Sequence, residues 1–182
     1  MFLVLFLSYS LLGVINPHQA ARNGDLLYLY NKFMAAPNEL DQLDSHGLTP
    51  LMYAVAYKRF PIVEFFSERR IGLNTKDPDD CTPLFYANDF DCAAKLIKEG
   101  AWIFSRNKAN FDVFETWLQH EKFDLVKKVM TLKNRQDYLF STEHLEMAGQ
   151  KFGEDSPQFF NANSIQYDED IRRNIKLRWG EN

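Results

Sequence analysis

One segment of this chain occurs twice, and that repetition limits the available folds more than any other feature. Asp44-Ser-His-Gly47-Leu-Thr49-Pro50-Leu51-Met-Tyr-Ala54 returns as Asp77-Pro-Asp-Asp80-Cys-Thr82-Pro83-Leu84-Phe-Tyr-Ala87, 33 residues further on. A fixed period of this size marks supersecondary units that cannot bury their apolar faces alone and do so by stacking on one another. Each part of the segment has a mechanical role. Threonine caps free backbone N–H groups, and proline fits the first helical position because the N–H it lacks has no partner there. Thr49-Pro50 and Thr82-Pro83 are therefore read as helix starts. Gly47 stands where the preceding turn needs positive φ, and Asp80 takes that place in the second copy, which implies a looser turn. Downstream, Ile62-Val63 and Phe65-Phe66 recur at helical spacing, so each unit reads as two helices with a turn before them.

Period and motif together resemble the ankyrin repeat, whose pattern runs Asp-x-x-Gly-x-Thr-Pro-Leu-His-x-Ala and closes on Asn-x-x-Asp. The copy from 44 fits throughout, with Asn74-Thr-Lys-Asp77 leading into the next and one inserted residue near Gly72. Before it, Asn16 to Asp25 resembles the family's His-x-Ala-Ala-x-x-Gly stretch, without a hairpin. The third copy is about two residues short between Ala87 and Leu96, a deletion we place in the inter-helix loop; Leu96-Ile97-Lys-Glu-Gly100-Ala101 then resumes the pattern. A fourth begins near Asn107 and keeps register, with Asp112-Val-Phe114 for Thr-Pro-Leu, Leu125-Val126 and Val129-Met130. The resemblance implies an all-α solenoid of stacked helix–turn–helix repeats with short β-hairpin loops. It divides the chain into 16–43, 44–76, 77–106 and 107–132, followed by an irregular helical cap over 133–182.

Composition excludes several functions. A net charge of -4 and pI of 5.6 leave no basic footprint for nucleic acid. Cys81 and Cys92 form no CxxC pair, and His18, His46, His120 and His144 are scattered, so no metal site is expected. The glycines never cluster as a phosphate cradle. No cofactor is expected, and no catalytic set is found: adjacent Asp79 and Asp80 on an exposed turn lack the pocket that separates acid from base. A Cys81–His46 nucleophile would lack an oxyanion hole.

The N-terminus is unusual. Phe2 to Ile15 (FLVLFLSYSLLGVI) carries no charged side chain. It is shorter than the ~20 residues a helix needs to cross a bilayer and as long as the apolar core of a secretory leader, although no Lys or Arg precedes it. Two readings stay open, a leader of an exported protein or a helix packed on the domain. Location follows the reading: envelope or secreted in the first, cytoplasmic in the second.

Function, as the resemblance implies it, is non-catalytic binding of another protein through hairpin tips and the inner faces of first helices. By register those positions are Ser45, His46, Leu48 and Tyr57 in the second copy, Pro78, Asp79, Cys81, Asp89 and Phe90 in the third, and Phe111 and His120 in the fourth. The carboxylates of Asp77, Asp79, Asp80, Asp89 and Asp91 beside exposed aromatics imply a partner protein with a basic, partly apolar patch. Some exported bacterial ankyrin proteins share this layout and neutralise a toxic enzyme, which makes an immunity-type inhibitor the alternative.

Overall fold

The computed structural model describes residues 15–130 and 132. The expectations for Phe2 to Val14, for the cap over 133–182 and for His144 fall outside the described residues. The chain divides between Trp117 and Leu118 into two compact units.

The first unit is a series of helix pairs. α1 (Pro17–Asn23) and α2 (Leu26–Ala35) form the first, followed by a 3-10 turn at Pro37–Asp41. α3 (Pro50–Ala56) and α4 (Phe60–Glu68) form the second. In the third, a 3-10 turn at Pro83–Tyr86 stands in for the first helix and is followed by α5 (Phe90–Glu99). α6 (Val113–Gln119) runs across the division, and α7 (Phe123–Met130) lies in the second unit. No strand occurs among the described residues, so the expected β-hairpins are turns without a ladder.

Every first helix starts from the same place in the repeat. Asn16 accepts from the Gln19 N–H at 2.8 Å and Thr49 from the Met52 N–H at 3.3 Å, each with proline next. In the fourth copy Asp112 accepts from the Glu115 N–H at 2.9 Å while Glu115 accepts from the Asp112 N–H at 2.7 Å, a reciprocal capping box without threonine or proline.

The third copy departs from expectation at this point. Its hairpin and cap keep the 33-residue step from the second copy, but its second helix starts at Phe90, only 30 residues after Phe60. Three residues connect the two elements in both copies, Tyr57 to Arg59 and Ala87 to Asp89. The shortening therefore falls in the first helix, which drops from 7 residues to 4, and not in the inter-helix loop. Four residues cannot carry a capped α-turn, and the Thr82 hydroxyl is left buried without a hydrogen-bond partner.

Successive repeats are tied like to like. First helices pack on first helices, α1 on α3 and α3 on the 83–86 turn, while α4 packs on α5. Between them lies a core of Ala20, Leu29, Leu51, Ala54, Val55, Ile62, Phe66, Leu84, Ala93 and Leu96, each at most 1% exposed. Hydrogen bonds close the free ends. The Arg59 guanidinium donates back to the Arg22 carbonyl at 2.9 Å and the Asn88 amide to the Ala56 carbonyl at 3.3 Å, satisfying last-turn carbonyls from the neighbouring repeat. Asn74 donates to the Gly100 carbonyl and accepts from the Trp102 N–H at 2.8 Å. On the second-helix side, Lys95 of α5 meets Glu64 at 3.3 Å and Glu68 at 2.7 Å on α4, with Glu99 at 3.4 Å. Those carboxylates, led by Glu68, raise the Lys95 pKa above its usual value against the opposing effect of burial.

Gly47 and Asp80 occupy the same turn position with φ of +76° and +63°. A Cβ on Gly47 would lie 2.3 Å from the Pro78 ring carbons of the next repeat. Gly47→Ala is expected to lower stability by about 2 kcal/mol through overlap and backbone strain. Asp80→Gly is expected to raise it by about 0.5–1 kcal/mol. Urea denaturation of both variants checks this, and an unchanged midpoint for Gly47→Ala would show that the tips do not stack as described.

Candidate protein-binding surface

The tips are built by one device used three times. In the second copy the Asp44 N–H donates to the Leu48 carbonyl at 3.0 Å and the Gly47 N–H to the Asp44 carbonyl at 2.9 Å. The third copy repeats this with Asp77, Cys81 and Asp80, and the fourth with Asn107, Phe111 and Asn110. A side-chain oxygen then fills each loop from inside. Asp44 accepts from the His46 and Leu48 N–H groups at 2.8 and 3.1 Å, Asp77 from Asp79 and Cys81 at 2.7 and 2.9 Å, and Asn107 from Phe111 at 3.0 Å. The second carboxylate oxygen reaches the first helix or the turn in its place: Asp44 accepts from the Tyr53 hydroxyl at 2.8 Å, and Asp77 from that of Tyr86.

Electrostatics follow from these bonds. Partial burial works against ionisation of Asp44, yet the Leu48 N–H, the Tyr53 hydroxyl and the His46 N–H together hold its carboxyl below the usual value. The same contact, after burial, pushes the Tyr53 hydroxyl up to about 12. Burial, followed by the charges of Asp77 and Asp79, pushes the Cys81 thiol up to about 11. That keeps it protonated near neutrality and removes it as a thiolate nucleophile. Burial and the Asp89 carboxylate likewise raise Cys92 to about 12.

Neighbouring tips are joined. Gly47 lies against the Pro78 ring, and the Lys108 N–H donates to the Asp79 carbonyl at 2.9 Å. Beside the first tip, a concavity of about 430 Å³ is lined by Asn16, His18, Gln19, Arg22, Asp44 and Tyr53. His18 is held there by donating from Nε2 to the Gln42 carbonyl at 2.8 Å, with its ring edge on Tyr53. A second hollow of about 530 Å³ runs from His18 and Gln42 to Ser45 and His46. No group of three His, Cys, Asp or Glu side chains converges on a metal-sized point among the described residues. No helix among them is long and apolar enough to cross a membrane.

Comparison with known proteins agrees with this geometry. The family model described as ankyrin repeats (3 copies) matches residues 18–107. Over those residues the chain belongs to the ankyrin-repeat family. A transient receptor potential cation channel subfamily A member 1 homolog from Caenorhabditis elegans is 32% identical over 73 residues. The match covers 40% of this chain and 6% of the channel homolog, so the chain spans only a small part of that relative.

The ankyrin frame gives each expected surface residue a place. Ser45, His46, Pro78 and Asp79 stand exposed on the tips, with Leu48, Cys81 and Phe111 half-buried at their bases. Tyr57 is exposed, but the Arg22 guanidinium lies over its ring at 4.8 Å, so one face is already occupied. Asp89 and Phe90 are not on the inner helix face. The three missing residues shift the register, so Asp89 becomes the N-cap of α5, accepting from the Cys92 N–H at 3.0 Å, and Phe90 becomes its first residue. His120 is exposed after α6 and belongs to the second unit. The acidic cluster is also smaller than its sequence suggests, because Asp77 is 7% exposed inside its turn and Asp80 pairs with Lys76 at 3.6 Å. The ankyrin pattern gave no weight to Asn16, Arg22 and Tyr53, which line the concavity; the matching spacing of Tyr53 and Tyr86 behind Asp44 and Asp77 was the available signal.

Asp77→Ala strands the Asp79 and Cys81 N–H groups and the Tyr86 hydroxyl, and is expected to lower stability by about 2–4 kcal/mol. Asp77→Asn keeps the acceptor that Asn107 supplies in the next copy, so roughly half of that loss is expected. Thermal or urea unfolding distinguishes them; equal losses would mean that charge, not the turn acceptor, is what matters at this position.

Proposed function

We propose that this chain binds one partner protein through the row of ankyrin tips and the concavity beside the first of them, without catalysing a reaction. Ankyrin repeats generally serve as protein-interaction modules, and the observation that carries the reading is the closure of each tip by its own side chain. Closed from within by Asp44, Asp77 and Asn107 and joined at Gly47–Pro78 and Asp79–Lys108, they hold Ser45, His46, Leu48, Asp79 and Phe111 in a fixed line. A surface ordered before binding loses little conformational entropy on association.

The partner is one with a basic, partly apolar patch. Its cations would meet the exposed Asp79 carboxylate, and its apolar side chains Leu48, Pro78 and Phe111. Asn16, His18, Gln19 and Arg22 would take hydrogen-bonding groups at the concavity. Tyr57, Asp89 and Phe90 are left out of this surface for the structural reasons given above.

The test begins in cells that express the chain natively, with a photo-reactive residue replacing the exposed His46 to trap the partner covalently. With that partner purified, Asp79→Lys and Leu48→Ala are each expected to weaken affinity about tenfold or more, as substitutions near the centre of an interface do. Glu64→Gln, on the second-helix side, should leave affinity unchanged. Binding that ignores the tip variants and responds to Glu64→Gln would overturn the choice of face.

A further inference from the structure

Most of the described arginines commit their guanidinium groups to the fold. Arg59 donates to the Arg22 carbonyl at 2.9 Å, Arg69 to the Phe65 carbonyl at 3.0 Å, and Arg106 to the Asn110 carbonyl and the Glu115 carboxylate. Arg22 is placed differently. It is exposed, its guanidinium lies 4.8 Å over the Tyr57 ring, and no carboxylate among the described residues pairs with it. A ring beneath the cation restrains it without using its N–H donors.

The surroundings favour an anion at this point. Arg22 lines the concavity of about 430 Å³ together with Gln19 and Asn23, whose side-chain amides can donate beside it. Arg59 brings a second positive charge to the same end of α1, fixed by its bond to the Arg22 carbonyl. The acids of this region are committed to backbone: Asp25 accepts from the Tyr28 N–H at 2.9 Å, and Asp44 from those of His46 and Leu48.

We propose that Arg22, held over Tyr57, anchors an aspartate or glutamate side chain of the partner protein by bidentate hydrogen bonding. This rests on the tip surface proposed above and deepens it. Asp79 on the third repeat's tip requires a cation and Arg22 on the first repeat an anion, so the partner carries both in one order. Opposite charges at two places along the row fix which way the partner lies on it. A carboxylate is favoured over a phosphate because Asp44, held ionised in the same concavity, repels a dianion more than a monoanion. The source is a side chain and not a chain end, because the partner's surface continues from here to the tips.

The first test needs no partner. The full chain with isotope-labelled arginine is titrated with acetyl-aspartyl-amide, and the Arg22 Nε–H signal is followed by NMR. Arg70, which is exposed and has no ring contact among the described residues, is the internal comparison. Arg22 is expected to bind the carboxylate about fivefold more tightly than Arg70, with the advantage lost in Tyr57→Leu. Equal responses at the two arginines, an equal response to the uncharged acetyl-asparaginyl-amide, or tighter binding of inorganic phosphate would each overturn the proposal. The second test uses the partner trapped at His46. Arg22→Glu is expected to weaken its binding about tenfold, and changing one acidic side chain of the partner to lysine to restore it. Restoration only by capping the partner's chain end would assign the anion to the terminus and overturn the side-chain source. Affinity that falls with Asp79→Lys and ignores Arg22→Glu would overturn the Arg22 site and leave the tip surface standing; the opposite pattern would overturn the tip surface alone.

Discussion

Each finger of this stack closes around a single side-chain oxygen, and much else depends on that closure. Asp44 and Asp77 satisfy two backbone N–H groups with one oxygen and a tyrosine hydroxyl with the other. One residue thus shapes the turn and fastens it to the segment behind. With no strand ladder among the described residues, these bonds replace the cross-strand bonds a hairpin would use. Neutral hydrogen bonds contribute about 1 kcal/mol each, and those to a charged group about 1.5–3. A carboxylate that gathers three donors therefore contributes more than any single contact across the tips.

The third copy shows how the period adapts to lost residues. The Asp77 turn, the Thr82-Pro83 start and the three-residue link were all retained, so the loss fell on the first helix. Turn geometry and second-helix packing set the spacing between repeats, while the length of the first helix is free to vary. Neighbouring groups compensate: Asn88 still reaches the Ala56 carbonyl, and Asp89 caps α5. The unpartnered Thr82 hydroxyl is what the shortened helix leaves behind.

Most of this architecture was legible in the sequence because the repeat writes it twice. The Thr-Pro starts, the Asn74 link and the paired apolar positions of α4 all lie where the period put them. Two kinds of error share a physical origin. Carrying the 33-residue period through the third copy puts Asp89 and Phe90 on the inner helix face, which ignores that a shortened helix resets the register after it. Asp77 was counted among the surface charges because a sequence gives its sign and not its burial. Tyr57 is exposed as expected, although Arg22, 35 residues away in the chain, covers one face of its ring. The concavity around His18 gathers residues from the first two repeats that no motif marks in the sequence.

The central claim is that the tips are rigid parts of the folded core and not loops attached to it. Native-state amide hydrogen exchange of the Leu48, Cys81 and Phe111 N–H groups, each bonded to its turn's own side chain, measures this most directly. The account predicts that the Leu48 and Cys81 amides open with the same free energy and denaturant dependence as the core amides of α4 and α5, and that Phe111 is protected as well. Fast exchange at these three amides while the α4 and α5 amides stay protected would contradict it, showing tips that open locally.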